Sequence, residues 1–225
     1  QNLVIMEVRT ATVIGATGLI GRQVVELLQK DDYFQKIRIV ARRSVSSNNP
    51  EIEVRVIDFS DETAFRLAIE GSDAVFCAVG TTNKKVKGNK SEYRKIDYEI
   101  PVHAAEYCAE TGCSRFLFVS SVGANAYSGN FYLRMKGEVE EAVKDMNIQS
   151  VSIFRPSMLL GDREEFRAGE AIGKALAAPL SFLFPSIYKP IHGVAVAKAM
   201  IEVVKQNIPG FHIYHYKEIK RLSGL

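Results

Sequence analysis

The stretch Val13-Ile-Gly15-Ala-Thr-Gly18-Leu-Ile-Gly21-Arg22 decides how this 225-residue chain folds. It stands where an apolar run, Thr10 to Ile14, gives way to Leu19 to Lys30, which carries Ile20, Val24, Val25, Leu27 and Leu28 on one helical face. Three glycines at a strand-to-helix turn each have a use. One permits the tight turn, a second lets the backbone approach a pyrophosphate, and a third lets helix and strand pack closely. Free N–H groups and the dipole at a helix start favour phosphate charge. Gly15, Thr17, Gly18, Leu19, Ile20 and Gly21 are therefore candidate dinucleotide contacts.

Outward from this turn, short apolar runs alternate with amphipathic stretches. Ile37 to Ala41, Val54 to Ile57, Ala74 to Ala78, Phe116 to Val119 and Val151 to Phe154 read as further strands. Asp61 to Glu70, Ser91 to Thr111 and Phe131 to Met146 read as helices between them. Undiluted apolar strands alternating with helices predict a parallel sheet covered on both faces, and right-handed crossovers make it a doubly wound α/β Rossmann fold. After Arg155-Pro156 the rhythm changes. Glycines and prolines punctuate residues 157–192, which are expected to form a small substrate-covering insertion in a single 1–225 domain. His192 to Val204 then reads as a helix and Phe211 to Tyr216 as a short closing strand.

Composition narrows the class. Apolar residues are 47% and charged residues 24%, which excludes a disordered chain. A net charge of +3 is too small to point to nucleic acid. No apolar run reaches the roughly 18 residues of a membrane span, and the first nine residues lack the pattern of a signal peptide. Cys77, Cys108 and Cys113 form no CxxC pair, so reduced thiols in a cytoplasmic protein are expected and no metal site is.

The second strand ends Val40-Ala41-Arg42-Arg43-Ser44, without the acid that NAD enzymes usually place there. Guanidinium forks suit a phosphate, so Arg42 and Arg43 predict the 2′-phosphate of NADP(H), and Arg22 could add charge to the same pocket. Asp58 and its neighbour Phe59 follow the third strand beside the expected adenine; Asp58 either accepts from the adenine amino group or caps the next helix. Ala78, Val79 and Gly80 end the fourth strand, where small residues let the chain pass close to the ribose and pyrophosphate.

The fifth strand ends Val119-Ser120-Ser121-Val122-Gly123, and the next helix carries Tyr132-Leu-Arg-Met-Lys136. Residues four apart share a helical face. A phenol ordinarily titrates near pH 10 and has to come down by about three pH units, roughly 4 kcal/mol, to trade protons near neutrality; a neighbouring ammonium acts in that direction. A second Tyr-x-x-x-Lys pair, Tyr216 to Lys220, shows that spacing alone decides little. Position at the carboxyl edge of the sheet favours Tyr132 and Lys136.

These motifs resemble the short-chain dehydrogenase/reductase superfamily, in its atypical or extended branch. Within it the chain is similar to the Tat-interacting oxidoreductase family and to bacterial proteins named as nucleoside-diphosphate-sugar epimerases. Tyr132-x-x-x-Lys136-Gly-Glu-Val-Glu140 and Phe154-Arg-Pro-Ser-Met-Leu-Leu-Gly-Asp-Arg163 carry the closer likeness. The resemblance implies NADP(H) binding, with Arg155 among the contacts, Tyr132 as acid/base, Lys136 on the nicotinamide ribose, and Ser120 or Ser121 on the substrate. The short serine-to-tyrosine spacing departs from many extended members; Ser121 is taken as the candidate. Only about 70 residues follow the sixth strand, which argues against a bulky sugar nucleotide.

The expected activity is hydride transfer to or from a small carbonyl or alcohol. A dinucleotide-sensing regulatory protein and a nucleotide-sugar epimerase are the alternatives. A homodimer or a protein partner stays open. His192 reads as a helix-start residue, the basic loop 84–90 as solvated, and Phe182-Leu-Phe184 as either lid or core.

Overall fold

The computed structural model describes residues 8–47, 49–82, 85–160 and 186–225. Strands form at the apolar runs: β1 (Thr10–Ile14), β2 (Lys36–Ala41), β3 (Ile52–Val56), β4 (Ala74–Cys77), β5 (Arg115–Val119) and β6 (Ser150–Phe154). Two short strands, β7 (Leu159–Leu160) and β8 (Ile191–His192), pair with each other, and β9 (Gly210–Tyr214) follows. The main sheet has seven strands in the order β3-β2-β1-β4-β5-β6-β9, each pair parallel. The expected doubly wound α/β fold is thus observed. Chain direction across the sheet reverses between β1 and β4, which opens a crevice at their carboxyl ends.

Strand side chains alternate between two cores. Val13, Ile39, Phe76 and Leu117 meet α1 (Leu19–Leu28), α6 (Gly193–Gln206) and α7 (Tyr216–Ser223) through Val24, Leu28, Val196, Met200 and Ile219. Ile14, Val40, Val75 and Phe118 meet α2 (Glu62–Ile69), α4 (Ile100–Thr111) and α5 (Phe131–Lys144) through Phe65, Cys108 and Val139. Burial on both faces accounts for the undiluted apolar strands. The exception in β2 is Arg38, buried against the carbonyls of Ala68 and Glu70 that end α2, with its Nε 3.0 Å from Glu53 Oε2.

The helix expected over 91–111 is broken. A short α3 (Lys90–Arg94) passes into a π-helical turn, Lys95–Glu99, before α4 begins. Pro101 lies in the first turn of α4 and has no N–H to offer the carbonyl four residues back, that of Asp97. The widened turn absorbs that loss and swings Asp97 into the interior, fully buried.

Beyond β6 the main sheet gives way to a clasp. Ile191 N donates to Met158 O at 2.9 Å and Ser157 Oγ donates to the Lys189 carbonyl, so the chain leaving β6 and the chain entering α6 are tied together. Most of the expected substrate-covering segment, including Phe182-Leu-Phe184, lies outside the described residues. The expected closing strand forms as β9 and lies beside β6, and α7 after it was not anticipated; the second Tyr-x-x-x-Lys pair belongs to that helix, whose start is capped by His215 and Glu218.

Candidate active site

The cradle forms as the glycines require. Gly15 has φ +86°, and a Cβ there would sit 2.7 Å from the backbone of Ala78 and Val79. A Cβ on Gly21 would meet Gly15 O at 2.1 Å, so α1 starts hard against the end of β1. The helices α2, α3 and α5 have side-chain caps in Asp61, Asn89 and Asn130. By contrast, α1 has no side-chain cap and no acid in its first turn. Its leading N–H groups are left for an anion.

In front of them opens a cleft of about 520 Å³ between the ends of β1, β2 and β4. Of the expected cofactor contacts, Gly15, Thr17 and Gly18 line it from the cradle, Arg42 and Phe59 from the β2–β3 side, and Ala78, Val79 and Gly80 from β4. Among the described residues its charged lining residues are Arg42 and Lys85, and none of those lining it is a carboxylate. A negatively charged dinucleotide fits this wall by charge and by backbone clearance.

Other expected contacts lie elsewhere. The side chains of Leu19 and Ile20 are buried in the core under α1, and Gly21 serves packing. Arg43 and Arg22 are exposed outside the cleft lining. Asp58 is also exposed and outside the lining, and its Oδ1 accepts from Ser60 N at 2.9 Å, which holds its carboxyl below the usual range. The α2 cap is Asp61, not Asp58. Arg155 is bonded to Glu140 and does not line this cleft. Sequence reasoning missed Thr82, Lys85, Ile96 and Ile100 in the lining. The basic loop read as solvated therefore contributes Lys85 to the cleft.

The second half of the site adjoins this wall. Asp97 Oδ2 accepts from Thr81 N at 2.7 Å, and Asp97 Oδ1 stands 3.2 Å from Lys136 Nζ. Both side chains are buried, at 0% and 1% exposure. Lys136 Nζ in turn lies 6.0 Å from the centroid of the Tyr132 ring, with Phe118 beneath it at 4.8 Å. Tyr93 OH donates to Thr81 O at 3.1 Å and its ring meets Phe131 edge-on, so the Thr81 peptide is gripped from both sides by the α3–π segment. Pairing with a buried carboxylate was not foreseen for Lys136, which the resemblance aims at the ribose. The sequence signal was Pro101, which made Asp97 the residue turned inward.

The two serines separate clearly. Ser120 is buried and its Oγ donates to Glu140. Ser121 is partly exposed, and among the described residues its hydroxyl donates to the carbonyl of Val122 at 3.3 Å, a bond easily exchanged for a ligand. The loop from Ser121 to Asn130 lies across α5 at Gly137, where a Cβ would come within 2.2 Å of the Asn125–Ala126 peptide. Gly137 is thus what lets the serine loop and the tyrosine helix touch.

Comparison with known proteins agrees with this geometry. Residues 15–179 match the NAD(P)H-binding family model. Protein HTATIP2 of Rattus norvegicus is 30% identical over 199 residues, covering 87% of this chain and 81% of that protein. Protein FMP52-1, mitochondrial, of Scheffersomyces stipitis is 32% identical over 226 residues, covering 95% and 98%. The solved UDP-N-acetylglucosamine 4-epimerase from Bacillus cereus shares the fold, with a TM-score of 0.65 at 18% identity, over 92% of this chain and 78% of that one. The FMP52 relatives are named mitochondrial, which overturns the expectation of a cytoplasmic protein. Cradle, cleft and sequence matches agree: the chain belongs to the NAD(P)H-binding family, among atypical Rossmann proteins of the short-chain dehydrogenase/reductase type.

Proposed function

We propose that the protein is an NADP(H)-dependent oxidoreductase that interconverts a small carbonyl compound and its alcohol. One observation carries the reading: the run Thr81–Asp97–Lys136–Tyr132 joins the wall of the nucleotide cleft to a tyrosine backed by a buried ammonium. Preference for NADP(H) rests on Arg42, the cation at the end of β2 in a cleft that no carboxylate lines among the described residues.

The nicotinamide, when bound, supplies or accepts the hydride. Tyr132 donates its phenolic proton to the carbonyl oxygen in reduction and takes it back in oxidation. Lys136 keeps positive charge beside the phenol, where it offsets the negative charge left on the oxygen. Asp97 holds that ammonium, and Ser121 orients the substrate oxygen.

The test is titration with NADPH and NADH by calorimetry, then NADPH oxidation with a panel of aldehydes, ketones and quinones. Turnover that disappears in Tyr132→Phe, with NADPH affinity retained, supports the assignment. Unchanged turnover in that variant refutes it. Tight binding with no turnover by the parent protein points instead to a dinucleotide sensor.

A further inference from the structure

At the carboxyl ends of β5 and β6 lies a buried polar group that the proposed reaction does not use. Glu140, 4% exposed, accepts from Ser120 Oγ, from Arg155 Nη2 and, at 3.0 Å, from Arg155 Nε. It stands four residues beyond Lys136 and eight beyond Tyr132 on α5, in one row along the helix. Ser120 adjoins Ser121, and Arg155 directly follows β6. One carboxylate therefore ties the helix carrying the tyrosine to the two strand ends beside the serine. Backbone bonds complete the frame, from Ser120 N to Phe154 O at 2.8 Å and from Val122 N to Pro156 O at 2.9 Å.

Cohesion alone does not account for charge at this place. Burying a carboxylate is costly, and apolar side chains of similar volume often hold helix to sheet as well or better. What the ion pair adds is geometry: a two-pronged guanidinium and a hydroxyl fix both distance and rotation. We propose that Glu140 is a positioning residue that sets the register of α5 against β5 and β6, and with it the placement of Tyr132 relative to Ser121. The proposal rests on the reading of Tyr132 as acid/base. A helix that slips by one residue moves about 1.5 Å, and a misplacement of about 1 Å can cost a reaction on the order of a hundredfold. The same network distinguishes the serines, with Ser120 committed to Glu140 and Ser121 left for substrate.

Glu140→Gln keeps the size and one acceptor but removes the charge from the Arg155 fork. NADPH affinity should change by no more than about twofold, because the cleft lies at β1, β2 and β4, while kcat falls about 10- to 100-fold. In a Ser121→Ala background the same substitution should cost about twofold or less, since the partner it aligns is gone. Equal losses in both backgrounds, or an unchanged kcat, overturn the proposal. If circular dichroism shows Glu140→Gln unfolded, Arg155→Lys carries the same test, since it keeps the charge and loses the fork. Hydrogen–deuterium exchange supplies a readout independent of turnover. Exchange across residues 121–133 should rise in the variant while that across 15–21 stays unchanged; parental protection across 121–133 refutes the role. A parent protein that binds NADPH and reduces no carbonyl defeats the reductase reading but leaves the exchange result to decide the place of Glu140.

Discussion

Gly137→Ala sets two physical arguments against each other. Glycine inside a helix is ordinarily worse than alanine by about 1 kcal/mol, so propensity alone predicts a more stable protein. The structure predicts the reverse. The new Cβ would lie 2.2 Å from Ala126 N and from the carbonyl carbon of Asn125, more than 1 Å inside ordinary contact, and both are backbone atoms that cannot rotate away. Either α5 or the loop after β5 has to move by about that distance, and overpacking of this kind costs about 1–3 kcal/mol. Less the propensity gain, the destabilisation is up to about 2 kcal/mol, a fall in Tm of up to roughly 8 °C for a chain of this length. Displacement of the loop also separates Ser121 from Tyr132, so turnover should drop on the order of a hundredfold while NADPH binding persists. Differential scanning calorimetry and steady-state kinetics on the purified variant check both parts. A rise in Tm would mean that loop and helix part freely, and the account of how the serine reaches the tyrosine would fail.

Three other outcomes follow from the site and its surroundings. Arg42→Ala should weaken NADPH by about 10- to 100-fold, the effect of losing a charge-assisted hydrogen bond, and leave NADH nearly unchanged; equal losses in calorimetry would reject the 2′-phosphate reading. Asp97→Asn leaves the Lys136 ammonium buried without its counter-charge, which should cost about 3–5 kcal/mol and lower Tm on the order of 10 °C. Thermal melts at low and high salt would show the loss insensitive to screening, whereas a Tm within a degree of the parent would refute the pairing. Burial alone would raise the Glu53 carboxyl, but hydrogen bonds and charge from Arg55 and Arg38 more than offset it, so its pKa falls below the ordinary 4.5. Its contribution is therefore present above that value and is lost as pH falls through the lower folded one. At half-exposed geometry the contribution is about 1 kcal/mol or less. Urea melts of Glu53→Gln should differ from the parent at pH 7 and converge below pH 4, and a gap that widens in acid would reverse the assignment.

Much of the architecture was legible because both faces of the sheet are covered. That burial enriches the strands in apolar residues, and β1 through β6 coincide with the expected stretches to within two residues at their ends, although β3 carries Glu53 and Arg55 and is only partly buried. The cradle was legible for a steric reason, since Gly15 and Gly21 stand where any Cβ would collide. What escaped depended on partners distant in sequence. Asp97 reads as one more polar residue on an amphipathic helix until Pro101 opens the turn and Lys136 arrives from α5. The pairing of Arg155 with Glu140 is likewise invisible in the sequence, and Lys85 reads as a solvated charge although it lines the cleft. A helix period gives the face on which a side chain lies; it does not give the group waiting there.

The clasp of β7 with β8 bears on how such a protein can change. Its two strands pin together the ends of an excursion that leaves after β6 and returns before α6. Once the two ends of a connection are fixed, its length adds little to the cost of closing it, about 0.6 kcal/mol for each doubling. Insertions or rewritten sequence between the two strands need not disturb the glycine turn or the buried lysine–aspartate pair. Sequence between the two strands can therefore diverge while the nucleotide cleft stays as it is.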